Sequence, residues 1–261
     1  MLLIDEIEKL YPEKLRVYKR FILREYLQYK ILNSIYASKY GVHLSFIGGT
    51  ALRILYNNQR FSEDLDFDNL GLSKADLEDL TNIIKKDLEN EGYEVTIRNT
   101  MYNAFRCRIK IPKLLFKNNL SPLENEQILI QFDTEPQHFK HKTEIKLINK
   151  FDVLRNIVTS PLDVLYAQKL YTAFNRKRAK GRDFFDILFL SNKTKPNFNY
   201  LYLKLKINTE KKLKTYLKKG CTSVNFREMV NDVKPFLFNL RDAEKIQLFP
   251  EWVNSIYTRR E

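Results

Sequence analysis

Between Ile47 and Asp68 the chain concentrates residue types that handle phosphate and metal: Gly48-Gly49-Thr50, then, one short helix length later, Arg60-Phe-Ser62-Glu-Asp64-Leu-Asp66-Phe-Asp68. The apolar run Leu44-Ser-Phe46-Ile47 precedes the glycines and Ala51-Leu52-Arg53-Ile54-Leu55-Tyr56 follows them, so the turn joins a strand to a helix. Backbone N–H groups at such a helix start attract anions, and glycine lets a phosphate approach closely. Downstream, Leu65 and Phe67 alternate with Asp64, Asp66 and Asp68, which on a strand sets the carboxylates on one face. Like charges so placed repel. Either water solvates them or a cation relieves them, and an oxygen-only donor set with no His or Cys nearby suits Mg2+ or Mn2+. A calcium loop starting at Asp64 is excluded, because it needs Gly and Glu where the chain has Asn69 and Ala75.

Further along, Gln127-Ile-Leu-Ile130-Gln-Phe132-Asp133 also alternates, with Leu129, Gln131 and Asp133 sharing a face. Asp133 then either lies on a strand beside Asp64 and Asp66, as a third carboxylate, or begins the turn Asp133-Thr-Glu-Pro136. After Pro161, the apolar stripe Leu162, Leu165, Tyr166, Leu170 and Ala173 includes Lys169. That lysine either snorkels to water or delivers an ammonium to a triphosphate. In Gly181-Arg182-Asp183-Phe184-Phe185-Asp186 the helix start offers two readings. One is an Asp cap with an Arg–Asp surface pair. In the other, Arg182 holds phosphate and Asp183 orients Lys169 or a second metal.

Positioning these residues requires a mixed α+β (α/β) fold. Helical spacing covers Leu2–Leu10 and Leu15–Tyr36. The pattern then predicts strand 43–47, helix 50–57, strand 63–68, helix 74–90 capped by Ser73, and strands 93–98, 102–111, 127–133 and 153–159. Beyond Ser160-Pro161 the pattern is helical, near 161–177, 183–191, 199–206, 209–219, 223–231 and 241–257. The expected division is therefore 1–160, N-terminal helices plus a mixed-sheet core, and 161–261, a basic helical C-terminal domain.

Composition narrows the function classes. No apolar run approaches the roughly 20 residues needed to span a bilayer, and Met-Leu-Leu-Ile-Asp-Glu is not a signal peptide, so a cytoplasmic protein without a membrane partner is expected. Cys107 and Cys221 lack metal-ligand spacing and read as buried free thiols. Residues 1–130 carry 19 Lys/Arg against 18 Asp/Glu, whereas 131–261 carry 26 against 14, so the net charges are +1 and +12. That asymmetry points to a polyanionic partner, with Arg176, Lys177, Arg178 and Lys180 as RNA-binding candidates beside the lysine-rich stretch 211–219.

In the order and spacing of these motifs, over roughly residues 44–190, the chain resembles the nucleotidyltransferase superfamily, and within it the AbiEii/AbiGii toxin family of type IV toxin–antitoxin systems. Gly49-Thr50 matches the first motif, Arg60-Phe-Ser62-Glu-Asp64-Leu-Asp66 the second, and Lys169 with Arg182-Asp183-Phe-Phe-Asp186-Ile-Leu the third. The chain departs from the pattern at Thr50, where Ser is usual, and at Asn57-Asn58, where a glycine is expected. The resemblance implies a nucleotidyltransferase-like core that binds an NTP with Mg2+ or Mn2+. Metal would sit on Asp64, Asp66 and Asp133, and phosphate would contact Gly48, Gly49, Thr50, Arg60, Ser62, Lys169 and Arg182. It also implies transfer of a nucleotide monophosphate to RNA, at the tRNA acceptor end, and a separately encoded antitoxin that need not form a stable complex. A catalytically silent RNA-binding protein, and transfer to a protein or small-molecule hydroxyl, are the alternatives.

Overall fold

The computed structural model describes residues 2–102 and 104–256. Among them, β1 (Leu44–Ile47), β2 (Leu65–Asn69), β3 (Thr96–Met101), β4 (Phe105–Ile111), β5 (Ile128–Glu135), β6 (Glu144–Lys150) and β7 (Val153–Thr159) form one sheet in the order β3-β4-β5-β2-β1-β7-β6. Pairs β1–β7 and β2–β5 are parallel and the remaining neighbours antiparallel, which makes the sheet mixed. Alternation explains the pairing. Phe46, Phe67, Phe132 and Phe105 come from four adjacent strands, and their rings follow one another at centroid spacings of 5.3, 5.0 and 6.3 Å. Each is at most 2% exposed and contributes about 1.5–3 kcal/mol through burial.

Helices α1 (Ile4–Lys9), α2 (Lys19–Ala37), α3 (Gly48–Tyr56), α4 (Lys74–Asn90) and α5 (Leu114–Lys117) complete the first of two compact units, which comprises residues up to Tyr56, Phe61–His138 and Lys142–Thr159. Ser73 caps α4 as its sequence predicts: its Oγ accepts from Asp76 N–H (3.2 Å) while the Asp76 carboxylate accepts from Ser73 N–H (2.9 Å). α2 buries charge as well as apolar surface. Glu25, 2% exposed, accepts from Arg53 Nε of α3 (2.8 Å), Lys150 Nζ of β6 (2.8 Å) and the Tyr11 hydroxyl (2.8 Å). Burial alone would raise the Glu25 pKa, but Arg53 and Lys150 outweigh it and hold it down to about 2.

The second unit comprises Ser160 onward together with the short segments Asn57–Arg60 and Phe139–His141. It is built from α6 (Leu162–Asn175), α7 (Gly181–Ser191), α8 (Phe198–Leu205), α9 (Glu210–Cys221), α10 (Phe226–Val233) and α11 (Phe249–Ser255). Phe184 is its hub, with Phe249, Phe226 and Phe174 rings at 5.0, 5.2 and 5.5 Å. Among the described residues no helix is long and apolar enough to cross a membrane.

Several boundaries differ from the sequence expectation, for local reasons. The helix read over 15–36 begins at Lys19, because 13–18 winds as a 3-10 helix after Pro12. The strand read at 93–98 lies at 96–101, and that read at 102–111 begins at Phe105; residue 103 lies outside the described residues. Strand β6 has no counterpart in the sequence reading, since as an edge strand it turns Ile145 and Leu147 to solvent (68% and 63% exposed), contrary to the usual apolar-in pattern. The expected helix 241–257 divides into a 3-10 helix, Leu240–Ile246, and α11, with Pro250 restarting the helix; Tyr257 lies outside the described residues.

Candidate active site

In the first unit, β1 delivers the chain to Gly48, whose φ of +77° favours glycine, and α3 starts there. A Cβ at Gly48 would collide with the Asp66 carboxylate, so the glycine admits that side chain against the turn. The Thr50 hydroxyl donates to the Asp64 carbonyl, which ties the first turn of α3 to the entrance of β2. Thr50, fully buried, thus fixes the backbone at Asp64. From the other side, Gln28 Nε2 of α2 donates to the carbonyls of Ser62 (3.1 Å) and Glu63 (2.9 Å). Gln28 escapes a search for motifs; its one signal is an amide buried on an apolar helix.

Asp66 pairs in register with Asp133 across the parallel β2–β5 ladder, so the two side chains share a face, and Asp64 stands two residues before Asp66. Asp133 accepts from Arg106 Nε (3.1 Å) and Gln131 Nε2 (2.8 Å). Asp68 is different. It is 2% exposed and accepts from Gln137 N–H (2.8 Å), anchoring the chain after β5. Among the described residues no three His, Cys, Asp or Glu side chains are gathered at metal-ligand spacing. Register aligns Asp66 and Asp133, and the donor chemistry, carboxylate only, fits a hard divalent cation. Burial raises the Cys107 thiol to about 12 and the Cys221 thiol to about 11, so neither is a nucleophile at neutral pH.

Replacing Gly48 by Ala forces a positive-φ alanine against Asp66. The expected result is a loss of about 1–3 kcal/mol of stability and a 100-fold or greater fall in the nucleotide transfer that the sequence resemblance implies. Urea titration and a transfer assay read the two effects; wild-type transfer by Gly48→Ala would show that the close approach has no role.

In the second unit the third-motif residues converge. Lys169 of α6 donates to Asp183 Oδ1 (3.1 Å) and pairs with Asp186 Oδ2 (2.8 Å), both on α7. Burial would depress the Lys169 pKa, but Asp186 and Asp183 more than offset it and raise it, so this group is an ammonium and not a base. Arg60, expected on phosphate, instead closes on Asp186 through Nε and Nη2 (2.7 Å each) and is 1% exposed. Asn58 Nδ2 donates to the same carboxylate (2.7 Å). A guanidinium so buried needs a counter-charge, and Asp186 supplies it. Arg176 donates to Asp183 Oδ2 (2.6 Å), whereas Lys177 and Arg178 are exposed and Lys180 half-buried. Arg182 lies over the Phe236 ring at 4.3 Å.

Two crystal structures from Helicobacter pylori share the fold: JHP933, with TM-score 0.54 and 17% identity over 89% of this chain and 91% of that one, and a candidate nucleotidyltransferase, with TM-score 0.53 and 18% identity over 91% and 98%. No curated protein matches. The profile of the nucleotidyl transferase AbiEii toxin family, type IV toxin–antitoxin system, matches residues 30–252, a span containing every residue of both constellations except Gln28. The chain belongs to that family and is a nucleotidyltransferase toxin.

Proposed function

We propose that this protein is a metal-dependent nucleotidyltransferase that moves a nucleotide monophosphate from an NTP to RNA, at the tRNA acceptor end, in the cytoplasm. The observation that carries the reading is the register of Asp66 with Asp133 beside a glycine that leaves no room for a Cβ. Asp64, Asp66 and Asp133 would hold Mg2+ or Mn2+, which when bound offsets phosphate charge and polarises the reacting phosphoryl group. The chain's own residues do the rest. Gly48 and Gly49 admit the triphosphate to the start of α3, with Ser62 as a further phosphate contact; the Thr50 hydroxyl holds the Asp64 carbonyl, and Gln28 holds the Ser62 carbonyl. Asp133, held by Arg106 Nε at 3.1 Å, accepts the proton of the acceptor hydroxyl. In the second unit, Lys169, fixed as an ammonium by Asp183 and Asp186, and Arg182 are the cations offered to phosphate. Arg60 serves this set from behind, by neutralising Asp186.

Exposed Lys177 and Arg178, with Lys180, give RNA phosphates a cationic surface on the second unit. The family's antitoxin is taken as a separate gene product that need not form a stable complex with this chain. Incubation with Mg2+, each α-labelled NTP in turn and total cellular RNA should place label in a small RNA that ribonuclease destroys. Label that survives ribonuclease and follows protein would move the acceptor there, and no label with any NTP would leave a silent RNA-binding protein.

A further inference from the structure

The sheet carries a second charged feature that adjoins the carboxylates. On β3, Asn99 Nδ2 donates to Thr81 Oγ1 of α4 (2.8 Å), so Arg98 and Thr100 turn to the other face. Across the ladder Arg98 stands opposite Arg108, Thr100 opposite Arg106 and Thr96 opposite Lys110. In turn Arg106 stands opposite Asp133 and Arg108 opposite Gln131. Arg98, Arg106, Arg108 and Lys110 therefore share the face of Asp133 and Asp66. Arg98, Arg106 and Lys110 are exposed, and Arg108 is half-buried.

Arg106 is paired with Asp133, but among the described residues Arg98, Arg108 and Lys110 make no ion pair and no side-chain hydrogen bond. The nearby carboxylate Glu94 is taken up by Lys113 and Lys117. Two guanidiniums directly opposite each other across an antiparallel pair repel and weaken the sheet. Polyanion binding relieves that repulsion. Alternate residues on β4 rise by about 7 Å, so Arg106, Arg108 and Lys110 form a row roughly 13 Å long leading away from Asp133. A single triphosphate covers one end of such a row, whereas a phosphodiester backbone covers all of it.

We propose that this row, with Arg98 beside it, is an RNA-binding track that carries the acceptor strand toward Asp133. The proposal rests on the reading of RNA as acceptor. It also places a main RNA contact in the half of the chain with a net charge of only +1, which composition alone passes over.

The test measures anisotropy of a labelled RNA oligonucleotide with the full chain, without NTP, over a range of salt. Arg98→Gln/Arg108→Gln should bind about tenfold or more weakly at physiological salt, with a salt slope lower by about two, and its melting temperature should equal or exceed that of wild type. Lys85→Gln, on α4 and paired with Glu89 at 3.7 Å, should bind as wild type. The proposal is overturned if the double variant keeps wild-type affinity and slope, or if wild type binds polyglutamate and not RNA. If the affinity difference holds while wild type transfers nucleotide to no RNA, the track stands and the acceptor reading falls.

Discussion

Asp64→Asn and Asp66→Asn are each expected to lower nucleotide transfer by roughly 10³-fold or more, equivalent to about 4 kcal/mol of transition-state stabilisation. The fold should survive, because each change removes one negative charge from a face where Asp66 already stands in register with Asp133. Melting temperatures should therefore match or exceed that of wild type. A second readout is independent of turnover. Mg2+ should raise the melting temperature of wild type by mass action, and this rise should shrink or vanish in Asp66→Asn. RNA affinity should stay near wild type in both variants, since neither supplies a cation to phosphate. Transfer at the wild-type rate by Asp66→Asn would remove this strand from the chemistry.

The largest stability effect is expected from Asp186→Ala. That carboxylate, 0% exposed, takes both guanidinium bonds from Arg60 and one from Asn58, and pairs with Lys169. Truncation leaves Arg60 buried without its counter-charge and costs about 3–5 kcal/mol, read as a fall in the urea midpoint. Replacing both partners by apolar residues, Arg60→Met/Asp186→Leu, should recover much of that loss while still impairing transfer through Lys169. A single variant as stable as wild type would refute the account.

The pH dependence has a definite sign. Burial acts to raise the Asp186 pKa, but Arg60 and then Lys169 outweigh it, so the folded value lies below the ordinary 3.8. A depressed carboxylate contributes stability that is complete above 3.8 and is lost as pH falls through the folded value. Glu25 acts in the same direction between 4.5 and about 2. Between pH 5 and pH 3 wild type should thus lose stability more steeply than Asp186→Asn, and the difference between the two curves isolates Asp186.

Short-range periodicity determined much of this protein before any tertiary contact. Alternation of Leu65 and Phe67 with Asp66 and Asp68 is a property of one strand, as Ser73 and Asp76 are of one helix start, and both stand in the sequence as they do in the fold; Asp64, read on the same strand, lies one residue before it. What tertiary structure alone decided is which distant residues share an environment. Parallel pairing of β2 with β5 brings Asp133 beside Asp66, while the same pairing buries Asp68 as an anchor for Gln137, although spacing makes Asp66 and Asp68 alike. Arg60 sits in a motif that suggests phosphate, yet it meets Asp186, 126 positions away, because a buried guanidinium must find a carboxylate wherever the chain provides one. The opposed Arg98 and Arg108 are unremarked charges in sequence, and only the β3–β4 register sets them against each other. Hydrophobic period and turn chemistry are local and can be read along the chain; pairing partners, burial and the electrostatics that follow from them are properties of distance in space.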